Sequence, residues 1–78
     1  MEKFGERLRE ARRDKGLSQK ELADKVGVTN SRIGHYENER GTPTAETLVE
    51  LCKVLDVSSD WLLGIPDKTQ ESKKNEAI

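Results

Sequence analysis

The run Gln19-Lys20-Glu21-Leu22-Ala23-Asp24-Lys25-Val26-Gly27-Val28-Thr29-Asn30-Ser31-Arg32-Ile33-Gly34-His35-Tyr36-Glu37-Asn38 holds two short segments of helical periodicity with one glycine between them. Two helices crossing at roughly 90 to 120° over a three- or four-residue turn need three things: a small residue where they touch, a glycine in the turn, and apolar side chains closing the corner. Ala23 is the small residue, Gly27 the turn glycine, and Leu22, Val26, Val28, Ile33 and Tyr36 the closure. Ser18 and Glu21 frame the first segment as a capping box, so a helix starts at Gln19 and ends at Val26. Gly27 reaches positive φ without steric cost, Thr29 caps the next helix, and that helix covers about Asn30 to Asn38.

Upstream, Phe4, Leu8 and Ala11 recur at helical spacing, the methylene stem of Lys15 extends the stripe, and Gly16 is a stop. This predicts a first helix from about Lys3 to Lys15. Downstream, Glu39-Arg40-Gly41-Thr42-Pro43 has the composition of a loop. Thr44 then caps a fourth helix carrying Leu48, Leu51, Cys52 and Leu55, with Glu46 placed to suit the helix dipole. Ser58 caps a short fifth helix with Trp61, Leu62 and Leu63, closed by Gly64 and Pro66. The expectation is an all-α, compact five-helix domain over residues 1–66, with 67–78 a polar tail expected to be disordered.

Composition narrows the function. Of 78 residues, 32% are hydrophobic and 37% charged, which allows one domain with one small, strictly patterned core. No run approaches the roughly 20 apolar residues of a bilayer span, and residues 1–10 lack the apolar centre of a secretion signal, so a cytoplasmic protein without membrane contact is expected. Cys52 has no second cysteine to pair with, and one histidine beside it makes no metal site. It reads as a small core filler. A catalytic centre would need a nucleophile with its base, a carboxylate pair, a metal set or a phosphate loop. The chain offers none, since Ser58, Ser59 and Asp60 have no histidine partner in their half. No cofactor or small-molecule ligand is expected either. The net charge of −1 conceals a gradient, +2 over residues 1–41 and −3 over 42–78. A polyanion would dock on the first half.

As a set, Arg12, Gly16-Leu17-Ser18-Gln19, Leu22-Ala23, Gly27-Val28, Ile33, Glu37, Arg40, Pro43, Thr47-Leu48 and Leu55-x-Val57-Ser58-x-Asp60-x-Leu62-Leu63-Gly64 resemble the Cro and lambda-repressor-like helix-turn-helix family, also called the Xre family. The resemblance runs from Phe4 to Gly64. It implies a lambda-repressor-like domain in which the second and third helices form the helix-turn-helix and the third enters the major groove. Most members are dimeric repressors or activators. The resemblance also implies phosphate contacts from Gln19, Asn38 and Arg40, and a partly buried ion pair between Arg12 and Glu37 that orients the recognition helix.

With Ile33 and Tyr36 turned inward, the opposite face of the third helix presents short hydrogen-bonding groups and one arginine. Asparagine matches the major-groove edge of adenine and arginine that of guanine, which makes Thr29, Asn30, Ser31, Arg32 and His35 the expected base contacts. His35 could equally pack against the corner. The expected function is sequence-specific binding of double-stranded DNA at a near-palindromic operator by a homodimeric transcriptional regulator, most simply a repressor. Its dimer surface is expected at Trp61, Leu63 and Ile65, where a short helix carries more apolar area than a small core can bury. The rival reading keeps the scaffold as a protein-interaction adaptor or antitoxin-like partner. That use would favour apolar or acidic residues where the third helix has Asn30, Ser31, Arg32 and His35.

Overall fold

The computed structural model describes residues 3–65. Five helices occur among them, α1 (Phe4–Asp14), α2 (Gln19–Val26), α3 (Asn30–Glu37), α4 (Ala45–Leu55) and α5 (Ser59–Leu63), and no strand. The tail expected over 67–78 lies outside the described residues.

Local chemistry sets most of the boundaries. At α2, Glu21 N donates to Ser18 Oγ at 3.0 Å while Ser18 N donates to Glu21 Oε1 at 2.8 Å, the reciprocal pair of a capping box. Thr29, Thr44 and Ser58 each accept from the backbone three residues on, opening α3, α4 and α5. Gly27 turns the chain between α2 and α3 at φ +81°. α4 ends on a left-handed residue that is not a glycine, Asp56 at φ +59°. The short polar side chain of aspartate makes that conformation cheaper than for most residues.

The core gathers one face of every helix: Phe4, Leu8 and Ala11 from α1, Leu22, Ala23 and Val26 from α2, Ile33 and Tyr36 from α3, Leu51 and Leu55 from α4, and Leu62 from α5, with Val57 between the last two. α3 packs on α1 and α2, while α4 lies on α2, and α5 bridges α1 and α4. The first and third helices differ from expectation in one respect each. Lys15 is exposed and does not extend the apolar stripe of α1, because the buried position at that end belongs to Arg12. α3 stops at Glu37, and Asn38 is its cap. Cys52 is half-buried at the edge of the core, where burial pushes its thiol pKa up and keeps it protonated. No helix among the described residues is long and apolar enough to cross a membrane.

Candidate nucleic-acid interface

α3 is locked by the side chains it buries. Ile33 is fully buried, Tyr36 nearly so, and Glu37 follows them into the interior. The remaining face therefore points to solvent, and Thr29, Asn30, Ser31, Arg32 and His35 are all exposed. Thr29, Ser31, Arg32 and His35 line one shallow depression with Gly41 and Thr42 of the next loop. His35 is thus on the open face and not packed into the corner. Thr29 Oγ1 accepts the N–H of Arg32 at 3.1 Å, which leaves its hydroxyl proton free to donate.

The inner side of α3 holds a charge cluster. Arg12 Nε donates to Glu37 Oε2 at 2.6 Å and its Nη2 to Oε1 at 3.3 Å, the two-point contact that suits a guanidinium and a carboxylate. Arg12 Nη1 also donates to the Leu17 carbonyl at 2.9 Å, so one side chain ties the end of α1 to the start of α2 and to α3. Glu37 Oε1 accepts further from Gln19 Nε2 at 3.1 Å and from Arg9 Nε at 3.4 Å. Burial alone would raise the Glu37 carboxyl pKa. The hydrogen bonds from Arg12 and Gln19, the Arg12 charge and the Arg9 hydrogen bond outweigh it and hold the group below the usual carboxylate range.

Of the three residues expected at phosphates, Gln19 belongs to this cluster, and Asn38 and Arg40 follow Glu37 along the chain. Gln19 is half-buried at the first position of α2, its Nε2 donating to Glu37 Oε1 and its amide lying close to Gly34 of α3. Asn38 is exposed and closes α3 by donating from Nδ2 to the Gly34 carbonyl at 2.9 Å. Arg40 is exposed beyond the turn, with its backbone N–H on the His35 carbonyl at 2.7 Å.

Two contributors escaped the sequence reading. Glu39 sits at φ +59° between Asn38 and Arg40, and its Oε2 accepts the Gly5 N–H at 2.7 Å, capping α1 across 34 residues of chain where Lys3 offers no side-chain cap. Gly5 lets the start of α1 press on the end of α3, since a Cβ there would stand 2.2 Å from the Glu37 carbonyl oxygen. A glycine inside a helical pattern was the available sign of close approach. Nothing local marks Glu39.

At the far end, Trp61 is half-buried beneath the Arg7 guanidinium, 5.3 Å from its ring centre, and Arg7 Nη1 donates to the Trp61 carbonyl at 3.1 Å. Leu62 is in the core and Leu63 is half-buried, whereas Ile65 remains 49% exposed.

A capped helix, a glycine turn and a second helix with a polar outer face define a helix-turn-helix, here inside a five-helix lambda-repressor-like domain. The chain belongs to the helix-turn-helix family, whose model matches residues 8–62. It is 43% identical over 73 residues to the HTH-type transcriptional regulator ImmR of Bacillus subtilis (strain 168), covering 94% of this chain and 55% of ImmR. The chain spans about half the length of the first curated relatives it matches. Among solved structures it is similar to the P22 c2 repressor in complex with a synthetic operator. The TM-score there is 0.74 at 37% identity, over 76% of this chain and 89% of that one. It is also similar to SinR, a master regulator for biofilm formation, in complex with DNA, with a TM-score of 0.71 at 39% identity over 77% of this chain and 97% of that one.

Proposed function

We propose that this protein is a sequence-specific DNA-binding transcriptional regulator, acting as a repressor, that places α3 in the major groove. The observation that carries the reading is the division of α3 into two faces. Ile33, Tyr36 and Glu37 fix its orientation from inside, and Asn30, Ser31, Arg32 and His35 stand free outside. A rigid helix with an unoccupied row of donors and acceptors is what direct base readout requires. Gln19 at the start of α2, with Asn38 and Arg40 after α3, would grip phosphates on either side. The relatives named as transcriptional regulators and the operator complex of the P22 c2 repressor support the same use. No enzymatic role is proposed, and a regulator of this kind would work in the cytoplasm.

The reading extends to a homodimer on a near-palindrome. One recognition helix covers too few base pairs for repressor-grade affinity, and two copies about 34 Å apart would address successive turns of one face of the duplex. The exposed Ile65 with Leu63, next to Trp61, is the proposed contact between copies. Gel shifts with operator-sized duplexes across a salt series test DNA use against the adaptor reading. If a dimer meets about 6 to 10 phosphates, log affinity should fall against log salt with a slope of roughly −5 to −9. A flat response, or no shift on any duplex, would favour an adaptor.

A further inference from the structure

Glu37 Oε1 collects Gln19 Nε2 at 3.1 Å, Arg12 Nη2 at 3.3 Å and Arg9 Nε at 3.4 Å. The two arginines differ in what they can still do. Arg12 is nearly enclosed, with 11% of its side chain exposed, and its Nε, Nη1 and Nη2 are engaged by Glu37 and Leu17. The Arg9 side chain is 37% exposed, and it meets Glu37 through Nε, the nitrogen nearest its stem. Pairing at Nε fixes the plane of the guanidinium; Nη2 shares the edge of Nε, as in the Arg12 pair, whereas Nη1 lies on the opposite edge and faces away from the carboxylate. Arg9 opens onto a cleft whose walls include Lys3, Glu6, Asn38 and Glu39. Asn38 is one expected phosphate contact, and Gln19, on the same carboxylate oxygen, is another.

We propose that Arg9 is a further phosphate-binding residue, held by Glu37 beside Gln19 and Asn38 so that its Nη1 edge meets the DNA backbone. This rests on the DNA-binding reading above. Glu37 is already balanced by Arg12, and Glu39 has Oε2 fixed on the Gly5 N–H at the start of α1. Glu6 and the second oxygen of Glu39 are therefore the carboxylate groups lining that cleft that compete for Arg9, with Lys3 on the same wall offsetting part of their charge. A guanidinium already ordered by one hydrogen bond loses less freedom on meeting a phosphate than a free surface arginine.

The test compares Arg9→Gln, which keeps a donor for Glu37 but removes the charge, with Arg9→Lys, which keeps the charge. Binding to a duplex enriched by the wild type from a random DNA pool and to an unselected duplex of the same length is measured by fluorescence anisotropy at several salt concentrations, with thermal melts of each variant alongside. Arg9→Gln should weaken both duplexes by the same factor and flatten the salt slope by about 0.9 for each bound copy. Arg9→Lys should keep the wild-type slope, and both variants should melt like the wild type. An unchanged slope for folded Arg9→Gln would overturn the proposal and leave Arg9 as a partner of Glu37, Glu6 and Glu39 alone. A slope lost equally in Arg9→Lys would overturn it too. A wild-type chain that binds neither duplex would instead refute the DNA-binding reading on which the contact depends.

Discussion

A carboxylate with no exposed side-chain surface must have its charge met by neighbours, and Glu37 meets Arg12 at 2.6 Å. Such a pair adds little net stability compared with an apolar pair of the same shape, whereas removing one member strands the other. Arg12→Ala or Glu37→Ala is therefore expected to cost about 3 kcal/mol in denaturant unfolding. The pH dependence follows from the lowered carboxyl. In the unfolded chain Glu37 takes up its proton at the ordinary glutamate value, and in the folded one only at lower pH. Its contribution is thus complete above the ordinary glutamate range and is lost as pH falls through the lowered folded value. The stability gap between wild type and Glu37→Gln should be widest near neutral pH and narrow steadily below about pH 4.3. A gap that stayed constant down to strong acid would mean that the carboxylate charge contributes nothing.

At the scale of elements, the close contact of α1 with the end of α3 is the junction most sensitive to volume. Gly5→Ala puts a methyl group 2.2 Å from the Glu37 carbonyl oxygen and 2.9 Å from that of Tyr36, both backbone atoms that cannot swing aside. A loss of about 1 to 3 kcal/mol in thermal or urea unfolding is expected despite the better helix propensity of alanine. The existence and order of the helices were legible because Ser18, Thr29, Thr44 and Ser58 announce their starts and Gly16, Gly27 and Gly64 their ends. The cap of α1 was not legible, since Glu39 reaches it from 34 residues away and no pattern in a single sequence encodes that distance. The inward turn of Arg12 was suggested by family resemblance, while the apolar stripe pointed to Lys15. Periodicity ranks positions by hydrophobicity and passes over an arginine whose burial depends on a distant carboxylate.

Over the whole molecule, the exposed row on α3 and the apolar Ile65 lie on different elements, so DNA binding and association are open to separate tests. Trp61 spends part of its surface under Arg7, which leaves Leu63 and Ile65 to supply most of the proposed contact and argues for a modest, concentration-dependent dimer. Sedimentation of the wild type should show a monomer–dimer equilibrium that Leu63→Asp with Ile65→Asp abolishes. A charge pair that left the dimer intact would move the interface elsewhere. Selection of bound duplexes from a random DNA pool, run in parallel for wild type and Arg32→Ala, probes the role of α3 most directly. The wild type should enrich two inverted half-sites with centres about one helical turn apart, and Arg32→Ala should lose about 1 to 3 kcal/mol of preference at one base pair of each half-site while keeping the rest. No enrichment by the folded wild type, or an Arg32→Ala profile that differs from wild type only by uniform weakening, would contradict base reading by α3.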